Sequence, residues 1–292
     1  MLFLKPFLFG VLLPAVVSGI AFVVAWRPWQ RDAPVANGIW GGAIALSVGY
    51  VAGHAGLLGW PPFPPVEATQ WLVYLALASG VFGLIIALWH ESTWLRWGLR
   101  LLLSGVMPWL ILHAVLKYRW QPIEGVVWLV GLGVAILGFW LMLNALAERF
   151  RGASTPLVLL VVATGGSVTL LLSGSAMLGQ LGGVLTAALG ASLVIAWWNP
   201  TLSLAHGATS VVAILLAGLW MSGYFYAEVP VVSALLLVVS PATAWIGQVE
   251  AIQRLGGWKV ALIRAAAVCI PVAVAVAIPL VASLSSADSY GY

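Results

Sequence analysis

The chain has 292 residues, 63% of them apolar, with only 12 Lys and Arg against 8 Asp and Glu. So few charges cannot wet the surface of a globule this size, which excludes a water-soluble enzyme or binding domain and makes the bilayer the solvent. A net charge of +4 sits on the rim of such a protein and excludes nucleic acid as a partner.

Ten apolar stretches follow one another at 6–26, 38–59, 71–90, 95–116, 125–146, 156–173, 178–198, 208–227, 230–248 and 258–283. Each is near the roughly 20 residues a helix needs to cross the hydrocarbon core. Barrel strands would be about ten residues long with polar alternation, which these stretches lack. The predicted fold class is therefore all-α, a polytopic transmembrane helix bundle of about ten spans. It forms a single integral membrane domain over 1–292 with no loop long enough to hide a soluble one.

The first stretch resembles a signal peptide in length. Lys5 is its only charge and no small-residue cleavage site precedes Arg27, so it is read as a retained span. In the second, Gly49 and Gly53 have the spacing that lets helix backbones approach closely, and His54 lies more than a turn inside. The third and fourth are joined by Glu91 and carry Arg96, Trp97, Arg100, Pro108 and then His113. The sixth and seventh are dense in Gly, Ser and Ala, including Gly179 and Gly183, and read either as tightly packed or as broken. The ninth and tenth carry Glu250, Arg254, Trp258, Arg264 and Pro271, with the single cysteine, Cys269, inside the last span. One cysteine leaves no disulfide, CxxC pair or haem-attachment motif.

The order Glu, Arg, Trp, Arg, Pro thus occurs twice. The end of the first span, Ala25-Trp26-Arg27-Pro28, is likewise matched by Trp197-Trp198-Asn199-Pro200 at the end of the seventh. This predicts a parallel 4+2+4 internal repeat, with units 5–117 and 178–283 around a two-helix insert 125–173.

Four residues become a candidate anion or lipid-headgroup site under that repeat: Arg100 and Arg264 at matching depths, with Glu91 and Glu250 as local partners. Paired guanidinium groups hold carboxylate or phosphate bidentately; the alternative is that each stem snorkels to the headgroups. His54 and His113 form a second candidate, a metal, haem or quinone site, against the plainer reading of two hydrogen-bonded histidines. No cofactor is assigned. Gln70, Asn144, Gln180 and Gln248 read as bonds between helices.

With the N-terminus on side A, side B collects nine of the 12 basic residues and side A only Lys5, Lys117 and Arg119. The positive-inside rule then makes side B cytoplasmic, with both termini outside a cell or inner membrane. The tryptophans cluster at span ends, as an interfacial belt requires.

No P-loop, zincin helix or serine elbow occurs, and no carboxylate lies deep in a span, so enzymes and ion-coupled pumps lose ground. Size and span number resemble the drug/metabolite transporter superfamily. That family repeats as five plus five with both termini inside and no motif of it is matched, so no membership follows. Two readings stay open. The sequence leans to a non-catalytic membrane subunit or scaffold, partnered by lipid, other proteins or copies of itself. The alternative is a transporter or facilitator with parallel repeats for a small solute, an anion being one candidate.

Overall fold

A computed structural model describes residues 4–26, 35–89, 92–198, 202–255 and 257–289, and among them helices occur with no strand. Leu4–Phe7 (α1) leads through a π turn at Leu8–Leu12 into Leu13–Trp26 (α2). Then come Val35–Leu58 (α3), Ala68–Leu88 (α4), Thr93–Ile111 (α5), His113–Tyr118 (α6) and Pro122–Arg149 (α7). Ser154–Leu172 (α8), Ala176–Trp198 (α9), Ala208–Tyr226 (α10) and Val231–Val239 (α11) follow, and a 3₁₀ segment at Ser240–Gln248 extends α11. The chain closes with Glu250–Gln253 (α12) and Gly257–Ser289 (α13).

Nine of the ten expected spans are, among the described residues, helices long and apolar enough to cross a bilayer. The chain is thus a multi-pass integral membrane protein. The other stretch, 95–116, is α5 plus α6. Arg96 and Arg100 lower its apolarity, and the helix breaks at Leu112 (φ −95°, ψ 11°), four residues after Pro108. A ring without an N–H deprives the preceding turn of a bond, which is the physical reason a helix weakens near proline. Of the two readings of the glycine-rich sixth and seventh spans, tight packing holds, since α8 and α9 are unbroken; the irregular stretch lies in the ninth, where α11 tightens to 3₁₀ geometry for nine residues. Such runs seldom exceed three or four residues.

Loops collect at two ends. Gly152 N–H donates to the Leu202 carbonyl at 2.8 Å, Ser203 Oγ to Ala147 O at 3.4 Å, and Arg149 Nη1 to Gln248 Oε1 at 3.3 Å. These bonds join the loops of end B. End A holds the 59–67, 119–121, 173–175 and 227–230 turns. There Tyr74 Oη donates to the Pro61 carbonyl at 3.0 Å, and Phe63 packs edge-on against its ring at 5.5 Å, pinning the proline-rich loop to α4.

At the centre stands α10, with 83% of its span buried, against 22% for α7. Small residues bring its neighbours close. A Cβ at Gly49 would meet Ser18 Cβ at 2.8 Å and one at Gly53 would meet Val184 Cγ1 at 2.6 Å, so that glycine pair seats α3 on α2 and α9. In α9 the close pair is Gly179 with Gly182, each against α8 (3.0 Å from Leu171 Cβ and 2.9 Å from Ser167 Cβ), whereas Gly183 has only a 3.9 Å neighbour. A three-residue spacing keeps both on the face that α8 covers. α2 and α3 pack closely, while α9 and α10, which a 4+2+4 repeat sets against them, share a smaller contact. Cys269 lies on an exposed face of α13 rather than in the packed interior.

Candidate functional site

End A opens into a cavity of about 650 Å³, within the range of small-molecule sites. Four segments build it: the loop into α4 (Pro64 to Thr69, then Trp71), the α5–α6 junction (Trp109 to Ala114), the turn into α9 (Ser175 to Leu178) and the end of α10 (Ser222, Tyr226). Local bonding fixes each wall. Gln70 Oε1 accepts from the Val66 and Glu67 N–H groups at 2.9 and 3.3 Å, capping α4. Tyr226 Oη donates to the Ile111 carbonyl at 2.9 Å, a group freed by the end of α5. Trp109 and His113 meet edge-on at 6.2 Å.

Below this opening lie polar groups with no hydrogen-bond partner among the described residues: Ser222 Oγ, Tyr50 Oη and both ring nitrogens of His54. His54 is 1% exposed; its ring sits 6.2 Å from that of Tyr50, and the Thr69 main chain lies near without hydrogen-bond geometry. Buried donors and acceptors without partners are uncommon and mark places that accommodate water, an ion or a polar solute.

End B is closed. Asn144, 5% exposed, is its hub. Its Oδ1 accepts from the His206 N–H at 2.7 Å and from Thr209 Oγ1 at 3.2 Å, and its Nδ2 donates to Glu148 Oε1 at 2.6 Å. The same carboxylate oxygen lies 3.4 Å from His206 Nε2. His206 takes a left-handed backbone (φ 65°), a region in which histidine is enriched among non-glycine residues. Arg100 lies alongside, 6% exposed, its guanidinium 5.8 Å from the Trp97 ring and 5.9 Å from Trp140, while Ser104 Oγ donates to its carbonyl. Beyond it runs a second arginine–aromatic ladder. Arg149 lies 5.1 Å from the Trp245 ring, Trp245 lies 6.0 Å from Phe150, and Arg264 sits 3.6 Å from Phe150. Arg264 also donates to Ser154 Oγ at 3.1 Å and to the Gly247 carbonyl at 3.3 Å.

Burial pushes the His206 imidazole below its ordinary value. Glu148 opposes that shift, and the positive charges of Arg100 and Arg96 add to it. The unfolded chain, with histidine near 6.5, therefore binds more protons than the folded one as acid is added. This contribution to stability is fully present above about pH 6.5 and is lost as pH falls through the lower folded value. We expect thermal unfolding to shift down between pH 7 and pH 5, and the shift to shrink in His206→Gln; an equal shift in both proteins would place the sensitivity elsewhere.

The predicted site residues sort unevenly. Arg100 and Arg264 are both buried toward end B but share no partner: one rests on α5 and α7, the other on α8, Phe150 and the 3₁₀ segment. Glu250 pairs with Arg254 at 3.9 Å on an exposed turn, not with Arg264, because i,i+4 spacing on α12 offers a nearer cation. Glu91 lies outside the described residues, as do Arg27, Arg31 and the Asn199–Pro200 motif. His54 and His113 are held apart in role: His113 lines the cavity and His54 is sealed within the bundle. No group of three His, Cys, Asp or Glu side chains suited to a metal occurs among the described residues. Asn144 and Gln248 do bridge elements, Gln70 caps its own helix, and Gln180 is exposed.

Glu67, Thr69, Trp71, Ser222 and Tyr226 were missed as site residues. The available signal was a carboxylate behind the Pro61–Pro65 run, where rigid prolines make a wall rather than a slack linker. No protein-family model matches the chain, and a search of curated proteins found no match to it.

Proposed function

We propose that this protein is a transporter or facilitator for a small solute, which binds in the end A cavity and passes along α10. The observation that carries this reading is the asymmetry of the bundle. Among the described residues, a 650 Å³ cavity with unpartnered polar groups in and beside its wall opens at one end, and a hydrogen-bonded network flanked by buried arginines ties the helices together at the other. An open cavity at one end and helices tied together at the other suit one state of an alternating-access carrier. The basic bias of end B supports a cytoplasmic end B by the positive-inside rule, an orientation in which the cavity faces outward.

The test is solute exchange in liposomes holding the purified protein, using labelled cationic, zwitterionic, anionic and neutral solutes in parallel. Saturable exchange above empty liposomes is expected for one class. Ala114→Trp, which adds a large ring to an exposed position in the cavity lining, is expected to lower that exchange at least tenfold while leaving the melting temperature within a few degrees. No exchange of any class above the empty control would sink the reading.

The scaffold reading has one observation of its own. A narrow apolar groove of about 240 Å³, lined by Trp128, Phe139, Trp220 and Leu235 among others, separates α7 from α10 and α11. A protein that is pulled from native membranes in fixed stoichiometry, with inert liposomes, would favour it.

A further inference from the structure

The end A cavity also carries a chemical preference, and its assignment rests on the transporter reading only for what the site is used for. We infer that the cavity binds a small organic cation, an ammonium or guanidinium group on a compact apolar body.

Charge is the first observation. Among the residues lining the cavity Glu67 is the one carboxylate, and none is lysine or arginine. Glu67 has no ion-pair partner among the described residues; its side chain faces the Gln70 N–H in the capping box of α4 and the Thr69 hydroxyl at 3.5 Å, neither of which neutralises its charge. The basic residues closest in sequence, Lys117 and Arg119, lie outside the lining, and Lys117 rests over the Tyr118 ring at 5.2 Å. An anionic solute would therefore meet one carboxylate and, apart from the His113 imidazole, no basic group.

The rings are the second. Trp71, Trp109 and Tyr226 come from three different helices and line the same space. Aromatic faces carry partial negative charge and attract cations by about 0.5–2 kcal/mol each, more as water is excluded. Ser222 Oγ, buried and unpartnered, adds an acceptor for an N–H or a hydroxyl of the solute, and the Tyr226 oxygen, which donates to Ile111, keeps lone pairs to accept with.

One effect opposes the assignment: the start of α4 borders the cavity, and helix N-termini favour negative charge. That end is already met by a negative charge, because the Glu67 side chain at the N-cap accepts from the Gln70 N–H in a capping box. What α4 presents to a solute is the Glu67 carboxylate.

The test measures binding rather than transport. Full-length protein in nanodiscs is titrated calorimetrically with three probes of nearly one shape: choline, its neutral isostere 3,3-dimethylbutanol, and 3,3-dimethylbutanoate. Choline is expected to bind saturably, with the other two at least tenfold weaker. Glu67→Gln and Trp109→Ala are each expected to weaken choline roughly tenfold, the scale of a partly desolvated cation–π contact. Glu67→Gln keeps the cap, because Gln70 still bonds the Val66 and Glu67 N–H groups and a glutamine Oε1 can still accept from the Gln70 N–H. Equal affinity for the isostere or the carboxylate, no saturable choline binding, or an unchanged affinity in Glu67→Gln overturns the inference. Choline binding without exchange in liposomes would sink the transporter reading and leave the site. Exchange of anions by a protein that does not bind choline would do the reverse.

Discussion

Asn144→Leu is expected to lower the unfolding free energy by about 3 kcal/mol, although leucine nearly matches asparagine in size and suits a membrane helix. The loss comes from what is left behind. The His206 main-chain N–H and the Thr209 hydroxyl lose their shared acceptor, and each buried group without a partner costs about 1–3 kcal/mol. The main-chain donor is the graver loss, since its left-handed φ of 65° fixes where it points. Thr209→Val should cost less, about 1 kcal/mol, because it removes both the donor and the need for an acceptor. The two should fail to add, since they share one bond. Reversible unfolding in mixed micelles measures all three. A loss under 1 kcal/mol for Asn144→Leu would mean that end B does not hang on this side chain. On the transporter reading, the same substitution loosens the closed end, so exchange should become less selective.

The sequence and the structure agree most where the physics is one-dimensional. Span length against bilayer thickness needs only a count, which is why the helices could be placed within a few residues. The two exceptions have local causes. α5 carries Arg96 and Arg100 and falls below the apolarity of its neighbours, yet it crosses the bundle by turning Arg100 onto Trp97 and Trp140. α11 changes its pitch at Ser240–Pro241, a device that hydropathy does not register.

Side-chain partners were far less legible. Arg100 and Arg264 do lie inside the helices, as their positions predict, but what they face depends on the helix-to-helix arrangement. Phe150, Trp140 and Gly247 are distant in sequence from the arginines they serve, and nothing local in the chain announces them. The cavity escaped for the opposite reason. Glu67, Trp71 and Tyr226 each have an ordinary explanation, as cap, belt and interface, and become a site only because three helix ends converge. Asn144 was legible because a polar amide inside an apolar span has few satisfactory fates other than bridging helices.

Gly218→Val is expected to cost about 3 kcal/mol, the upper part of the range for overpacking, and to do so without touching any polar group. A Cβ there would come within 2.5 Å of Leu72 Cδ2, 3.1 Å of Met107 Cε and 3.2 Å of Ile111 Cδ1, so α4 and α5 both press on this one point of α10. Leu72 and Met107 have no exposed surface and Ile111 is 1% exposed, which leaves them little freedom to withdraw. Valine adds a branched carbon against two helices at once, and interiors packed to crystal density transmit such strain rather than absorb it. Gly138→Ala supplies the contrast. Nothing lies within 4 Å of its Cβ position on α7, so the substitution should be neutral, or stabilising by up to about 1 kcal/mol through helix propensity. Unfolding of the two variants side by side decides the matter: if both move stability alike, glycine content rather than close approach sets the packing of α10. If only Gly218→Val does, α10 is the axis on which the bundle is built. Any movement between open and closed ends would then have to occur by the outer helices shifting around it, since the axis itself has no room to move.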